Sequence, residues 1–241
     1  MIVIPMVGLS KRFFNAGYTK PKYMLDLNGK TVFEHSLSSF SLYFKTEEFL
    51  FIVRSDFDTP EFVESMAISL GIVKFKVVTL DFDTRGQAES VALGLQQSNY
   101  EGSITIFNID TFRPGFNYPE QLREGYLEVF LGEGDNWSFV KPCQNSSNRA
   151  IETAEKLAIS NLCCTGLYYF SSVRDFMYAF NEQISLPKDT WPKGELYVAP
   201  LYNFLIAKGE VVKYNLVDRK DVVFCGVPSE YESLKISKYD S

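Results

Sequence analysis

Short apolar runs alternate with segments of helical period through the first half of the chain, and this alternation most restricts the fold. Strands are predicted at residues 2–7, 49–54, 73–80 and 103–109, and helices at residues 32–43, 60–70 and 87–97. Because strands that alternate with helices form parallel sheets covered on both faces, we predict an α/β fold with a mostly parallel central sheet. Ligands bind such sheets beyond the carboxyl ends of the strands. We therefore expect a site in the loops after Val7, Leu80 and Ile109.

The second half has a less regular pattern. We predict a strand at 165–170, a helix at 171–183, an amphipathic helix at 194–209, and strands at 211–217 and 222–227. Strands with fewer helical crossovers suggest a mixed extension of the sheet. Because no internal repeat or linker of biased composition interrupts the chain, residues 1–241 are interpreted as one domain.

The composition excludes several classes of protein. The chain has 241 residues, of which 46% are hydrophobic, a formal charge of -6 and a pI near 5.0. Since partners held through phosphate groups need a basic face, we expect neither nucleic acid nor an anionic membrane as a partner.

The apolar start MIVIPMV is too short for a membrane span or a signal peptide. Cys163 and Cys164 adjoin in an apolar run, which favours buried thiols and a cytoplasmic location.

A group of four cations follows the first strand in this acidic chain. The stretch GLSKRFFNAGYTKPK contains Lys11, Arg12, Lys20 and Lys22 just after Gly8. A glycine turn after a strand offers backbone N–H groups to phosphate, and Arg12 and Lys22 add charge. The spacing matches neither the Rossmann fingerprint nor the P-loop. A solvated basic loop is the alternative interpretation.

Polar residues also follow the strand at 103–109 and open the helix at 87–97. In ITIFNIDTF, Asn108 and Asp110 are two residues apart and so point to the same side, where their oxygens suit Mg²⁺. An Asx turn is the alternative explanation. In DTRGQAESV, Gln87 can both donate and accept hydrogen bonds, as reading of a nucleobase requires. Glu89 is better explained as an ordinary first-turn carboxylate. His35 is the only histidine, so a zinc site built on histidines or a Ser-His-Asp triad is not expected.

These residues resemble the nucleotidylyltransferases that make activated sugars and related capsule precursors. The resembling segments, in order, are IPMVGLSKRF, KPKYMLDLNGKTVFEHSL, RGQAESV, NIDTF, AEK at 154–156, TGLYYF, GELYVAPLYNFLIAKG and FCGVPSEYE. They span nearly the whole chain. The resemblance implies a glycosyltransferase-A-like, Rossmann-like fold, with residues 1–112 as the nucleotide-binding half and residues 113–241 as the acceptor-binding half.

The resemblance also implies roles for individual residues. Arg12 and Lys22 would be catalytic, and Asp110 would bind Mg²⁺ or Mn²⁺. The nucleotide would be bound by Gly8, Leu9, Ser10, Gln87 and Ser90, and the phosphorylated acceptor by Glu155, Lys156 and Gly166. The reaction would be attack of an acceptor phosphate on the α-phosphorus of a nucleoside triphosphate, with release of pyrophosphate. The opening is most similar to capsule-locus members, some of which are cytidylyltransferases that use non-sugar acceptors such as phosphoglutamine, so we expect CTP as the donor.

The sequence departs from the family pattern at three places, one of which is Asn108, where some relatives carry an acid. Ser10 stands where the first loop usually has its second glycine. Phe224 and Cys225 stand where a second metal-binding carboxylate is usual, and Asp218 or Asp221 would have to replace it. A metal-dependent glycosyltransferase and a catalytically silent nucleotide-binding subunit are therefore kept as alternatives. Whether the chain forms a homo-oligomer is left open.

Overall fold

The computed structural model describes residues 1–120 and 124–239. The strands are β1 (Ile2–Pro5), β2 (Asp26–Leu27), β3 (Lys30–Thr31), β4 (Glu48–Val53), β5 (Lys74–Thr79), β6 (Ile104–Phe107), β7 (Thr111–Phe112), β8 (Tyr126–Leu131), β9 (Ser138–Pro142), β10 (Ala150–Glu155), β11 (Leu162–Phe170), β12 (Lys213–Val217) and β13 (Val223–Phe224). The α-helices are α1 (Lys11–Asn15), α2 (Val32–Ser38), α3 (Thr59–Leu70), α4 (Gln87–Ser98), α5 (Val173–Ser185), α6 (Tyr202–Ala207) and α7 (Pro228–Ile236).

The first half of the chain forms the parallel part of the central sheet. Strand β1 pairs in parallel with both β4 and β6, and β4 pairs in parallel with β5. The chain therefore adds β4 and β5 on one side of β1 and then crosses to place β6 on the other. This reversal puts a switch in strand order at the carboxyl ends of β1 and β6, where ligands bind in folds of this class. The predicted α/β fold with a mostly parallel sheet is confirmed.

The second half extends the same sheet with mixed strands. Strand β11 runs antiparallel to β6, β8 and β9, β10 runs antiparallel to β9, and β12 runs parallel to β8. This agrees with the predicted mixed extension. None of the helices in the described part of the chain has the length and apolar character that a membrane crossing needs.

Alternation along β1 explains why the sheet is covered on both faces. Ile2 and Ile4 pack in a core with residues of α2 and α3, whereas Val3 packs in a second core with α4. Side chains alternate between the two faces of a strand, so a fully apolar strand must be buried on both.

Helix α2 begins with a capping box, in which the Thr31 side chain accepts from the Glu34 N–H and the Glu34 carboxylate accepts from the Thr31 N–H.

The helix predicted at 194–209 is wrong over its first half. A short 3₁₀ turn occupies Ala199–Leu201, and α6 begins only at Tyr202. Before that turn, Glu195 is extended, with φ −121° and ψ 157°. Leu196 pairs with the start of α4 and the loop before it: its N–H donates to the Arg85 carbonyl and its carbonyl accepts from the Ala88 N–H, both at 2.9 Å. These long-range bonds outweigh the local helical pattern.

A buried ion pair joins β8 to the segment after β7. The Arg113 Nε lies 2.6 Å from Glu128 Oε1, and a second guanidinium nitrogen of Arg113 lies 3.1 Å from Glu128 Oε2. The Thr165 hydroxyl donates to the same carboxylate at 3.0 Å, and Arg113 also donates to the Asp221 carbonyl at 2.7 Å. Because both charges are removed from water, this bidentate geometry is needed to offset the cost of burying them.

Candidate active site

A cleft of about 620 Å³ opens at the carboxyl ends of β1 and β6, at the switch in strand order. Its walls come from the loop after β1, the loop before α4, the residues after β6, and the segment that precedes Ala199–Leu201. The three loops named from the sequence thus meet at one place. We call this space the first cleft.

The loop after β1 brings three of its four cations, Lys11, Arg12 and Lys22, to the first cleft, whereas Lys20 lies outside it. Gly8, Leu9, Arg12 and Lys22 line it, and Ser10 lies in the same loop on an adjoining depression. Gly8 is exposed, and a Cβ placed there would meet nothing within 4 Å, so the backbone of this turn is open to a ligand.

Lys22 and Asp110 form an ion pair at the centre of the cleft. The Lys22 Nζ lies 2.5 Å from Asp110 Oδ2, and the two side chains are 19% and 20% exposed. Burial disfavours the charged carboxylate, but the charge of Lys22 and its hydrogen bond prevail and hold the pKa of Asp110 below its usual value. Asp110 is therefore held in its ionised form by its pairing with Lys22.

Two amide side chains meet at the back of the first cleft. The Gln87 Nε2 donates to Asn108 Oδ1 at 2.6 Å, which fixes both groups relative to the end of β6. Gln87 is the first residue of α4, so the N-terminus of that helix faces the cleft. Ser90 also lines the cleft, but it is buried, and its hydroxyl lies 2.7 Å from the Thr84 hydroxyl. Ser90 therefore stabilises the loop before α4 through its hydrogen bond to Thr84.

A second cleft of about 730 Å³ adjoins the first. Glu155 and Lys156, at the end of β10, and Gly166, in the middle of β11, all line it. Gly166 has φ +97°, and a Cβ there would collide with the side chain of Asn108. Only glycine allows Asn108 to reach this position, since an L side chain is strained at this φ as well.

Tyr197 lies between the two clefts and holds the Lys156 ammonium. The Lys156 Nζ donates to the Tyr197 hydroxyl at 2.8 Å and lies 5.0 Å from the centre of its ring. This hydrogen bond raises the pKa of Lys156, and the charges of Glu155 and Glu195 raise it further against the effect of burial. The ammonium therefore keeps its charge. Burial raises the pKa of Glu155, with a further contribution from Glu195, against the Ser138 hydrogen bond and the Lys156 charge.

The two clefts share a wall and carry opposite charge. Five residues line both of them, namely Arg12, Gln87, Asn108, Asp110 and Tyr197. Among the described residues, the first cleft has five cationic and three carboxylate side chains, Lys11, Arg12, Lys22, Arg85 and Lys188 against Asp83, Asp110 and Glu195. The second has two cationic and four carboxylate side chains, Arg12 and Lys156 against Asp110, Glu133, Glu155 and Glu230. A polyanion is therefore favoured in the first cleft and disfavoured in the second.

The structure does not bring Asp218 or Asp221 to this site. Both are exposed and line neither cleft. Asp218 pairs with Lys220 at 3.4 Å, and the Asp221 carbonyl is held by Arg113. The carboxylate that does approach is Glu230 in the first turn of α7, whose Oε2 accepts from the Gly226 N–H at 2.8 Å. Sequence inspection missed it because a first-turn glutamate is an ordinary helix cap.

Oxygen donors at the shared wall suit a hard divalent cation. In the described part of the chain, no group of three or more His, Cys, Asp or Glu side chains could hold a metal ion by itself. Asp110 and Asn108 offer one carboxylate and one amide oxygen, which matches Mg²⁺ that takes one or two protein ligands and completes its shell with phosphate and water. The residues present thus fit a metal that arrives with a phosphorylated ligand.

Comparison with known proteins gives the family. No protein-family model and no curated protein matches the chain. Among solved structures, a nucleoside-diphosphate-sugar pyrophosphorylase from Vibrio cholerae RC9 is 54% identical, with a TM-score of 0.95, and the match covers 98% of this chain and 100% of that one.

Two more distant structures share the fold. The inositol-1-phosphate CTP transferase from T. maritima is 16% identical with a TM-score of 0.73, over 100% of this chain and 97% of that one. A UDP-glucose pyrophosphorylase complexed with UDP-glucose is 14% identical with a TM-score of 0.75, over 99% and 97%. The 54% identity over nearly the full length of both chains shows that the chain belongs to the nucleoside-diphosphate-sugar pyrophosphorylase family of nucleotidyltransferases.

Proposed function

We propose that the protein transfers a nucleoside monophosphate from a nucleoside triphosphate, with CTP as the donor, to a phosphorylated small molecule in the synthesis of capsule or surface-polysaccharide precursors. The observation that carries this proposal is the pair of clefts that meet at Arg12, Asn108 and Asp110. The cationic first cleft suits a triphosphate, and the second has room for an acceptor. Their shared wall is where the two substrates would react.

The reaction needs little proton transfer. A phosphate monoester has a second pKa of about 6, so an acceptor of that kind is largely ionised at neutral pH and needs no general base. The task of the protein is then to align two anions and neutralise charge at the α-phosphorus. Lys22 and Arg12 would supply positive charge there, and the backbone of the turn at Gly8 would bind the triphosphate. Mg²⁺ or Mn²⁺, held by Asp110 and Asn108, would supply further charge neutralisation when bound.

The charge of the second cleft favours an acceptor that carries an ammonium group. Lys156 would bind the acceptor phosphate, and Glu133 and Glu155 line the same cleft. A sugar phosphate would offer only hydroxyl groups to these carboxylates. A phosphorylated amino compound would offer a cation, as phosphoethanolamine does alone and phosphoglutamine does beside its own α-carboxylate, so we propose this class over sugar phosphates.

A pyrophosphate-release screen tests donor and acceptor together. CTP, UTP, ATP and GTP are each combined with phosphoglutamine, phosphoethanolamine, glucose 1-phosphate and inositol 1-phosphate in the presence of Mg²⁺. We expect release to be greatest with CTP and an amine-bearing acceptor. Equal or faster release with glucose 1-phosphate would refute the acceptor class, and tight nucleotide binding without release in any combination would favour a silent nucleotide-binding subunit.

A further inference from the structure

Ser10 occupies a backbone conformation that usually belongs to glycine. Its φ of 49° and ψ of 25° lie in the left-handed region, which is unfavourable for a residue with a Cβ. Ser10 also stands at the N-cap of α1, where serine normally accepts a hydrogen bond from its own helix. Here the side chain makes no capping bond. Both the strain and the missing cap indicate that the hydroxyl is used elsewhere.

The hydroxyl of Ser10 instead accepts a hydrogen bond from the backbone N–H of Lys22, at 3.2 Å. Lys22 opens a 3₁₀ turn, Lys22–Met24, in which Met24 donates to the Pro21 carbonyl at 2.9 Å. The first N–H of a helical turn has no partner within that turn and needs one from outside. Ser10 therefore caps a turn that begins twelve residues further along the chain.

This bond joins the loop after β1 to the residue that pairs with Asp110. The loop is also anchored by Phe13, which is buried in one apolar cluster with Leu25 and Tyr231, so the Ser10 hydroxyl adds a local link at the Lys22 backbone itself. The Lys22 backbone is fixed by Ser10 at one end, and its Nζ by Asp110 at the other.

We propose that Ser10 is a positioning residue for Lys22. A glycine would fit the backbone of the loop with less strain, but only the serine hydroxyl can fix the Lys22 backbone N–H. This role rests on the proposed function, because it assumes that Lys22 acts at the α-phosphorus. Ser10 would then govern turnover rather than the affinity for the triphosphate.

Three substitutions separate this role from a role in shaping the phosphate-binding turn. Ser10→Gly removes the hydroxyl and also the backbone strain, Ser10→Ala removes only the hydroxyl, and Ser10→Thr keeps it while adding strain. We expect Ser10→Gly to have a Tm at or above that of the parent and a kcat about three- to tenfold lower, the size expected for one lost hydrogen bond. Ser10→Ala should lose kcat similarly, and Ser10→Thr should retain kcat with a lower Tm. The KM for the triphosphate should change by less than about twofold, because binding of the triphosphate in the ground state does not depend on the Ser10 hydroxyl.

Two further measurements keep the outcome clear. In a Lys22→Ala background, Ser10→Ala should lower kcat no further, since residues that act through one another are not additive. Hydrogen exchange of the Lys22 amide should be faster in Ser10→Gly and Ser10→Ala than in the parent. Ser185→Ala, a serine variant distant from the clefts, is the control and should leave this exchange rate unchanged.

Parental kcat in Ser10→Gly, an effect on KM alone, or unchanged exchange at Lys22 would each overturn the proposal. Amide exchange does not depend on activity. A parent protein that releases no pyrophosphate would therefore refute the proposed function, while the link from Ser10 to Lys22 would still be tested by the exchange measurement.

Discussion

Replacement of Lys22 by alanine should abolish most turnover and leave the protein folded. The ammonium lies 2.5 Å from Asp110 Oδ2 in a pair that is about one-fifth exposed, 19% and 20% for the two side chains. Loss of one preorganised charged donor at a reacting centre costs about 2.7–4 kcal/mol of transition-state stabilisation, so we expect kcat to fall by about 10²- to 10³-fold. The stability cost should lie between that of an exposed and of a buried ion pair, about 1–3 kcal/mol.

The assay is pyrophosphate release, with the fold checked by circular dichroism and by Tm. Lys20→Ala is a matched control, because Lys20 belongs to the same loop, is exposed and lines neither cleft. We expect that variant to keep parental turnover. Turnover of Lys22→Ala close to that of the parent would refute the assigned role, and so would an equal loss in the Lys20→Ala control.

Three other substitutions test the supports of the site. Glu128→Ala leaves Arg113 buried without its carboxylate and should lower the free energy of unfolding by about 3–5 kcal/mol in urea titrations; a loss below about 1 kcal/mol would contradict this. Burial raises the pKa of Glu155, so the folded state binds its proton more tightly than the unfolded state, and stability falls as pH rises through the folded pKa. Glu155→Gln should therefore raise Tm at pH 8 and change it little below pH 4.5, the unshifted pKa; the same Tm change at both pH values would exclude this cause. Gly166→Ala forces a side chain against Asn108 at φ +97° and should lower stability by about 1–3 kcal/mol and suppress pyrophosphate release, whereas parental Tm and turnover would show that the position tolerates a Cβ.

The first half of the fold could be predicted because its signals are local. Strand β1 is apolar throughout, so its burial on both faces follows from composition alone, and the alternation with helices then gives a parallel sheet. The position of the cleft follows as well, since the carboxyl ends of β1 and β6 must lie at one edge of the sheet. That is why Gly8, Lys22 and Asp110 could be named before their distances were known.

The second half depends on contacts that no local pattern reveals. Strand β8 has Glu128 in the middle of an otherwise apolar run, where the carboxylate is buried against Arg113 and Thr165, and β9 and β10 lack a clear apolar pattern. Leu196 lies in a segment with a helical pattern, but its backbone is hydrogen-bonded to the loop before α4. These bonds also position the next residue, Tyr197, at the wall between the clefts. Packing between distant segments decided these features, and local propensity did not.

The fate of the α-phosphorus tests the central claim most directly. The protein is incubated with CTP labelled at the α-phosphate, Mg²⁺ and either phosphoglutamine or glucose 1-phosphate, and the products are separated and weighed by mass spectrometry. If the two clefts align a triphosphate with an acceptor phosphate, the label will appear in a cytidine diphosphate derivative of the acceptor, with one unlabelled pyrophosphate released for each molecule of product. Label that stays in CTP, or that appears as free CMP whether or not an acceptor is present, would contradict nucleotidyl transfer at the junction of the two clefts.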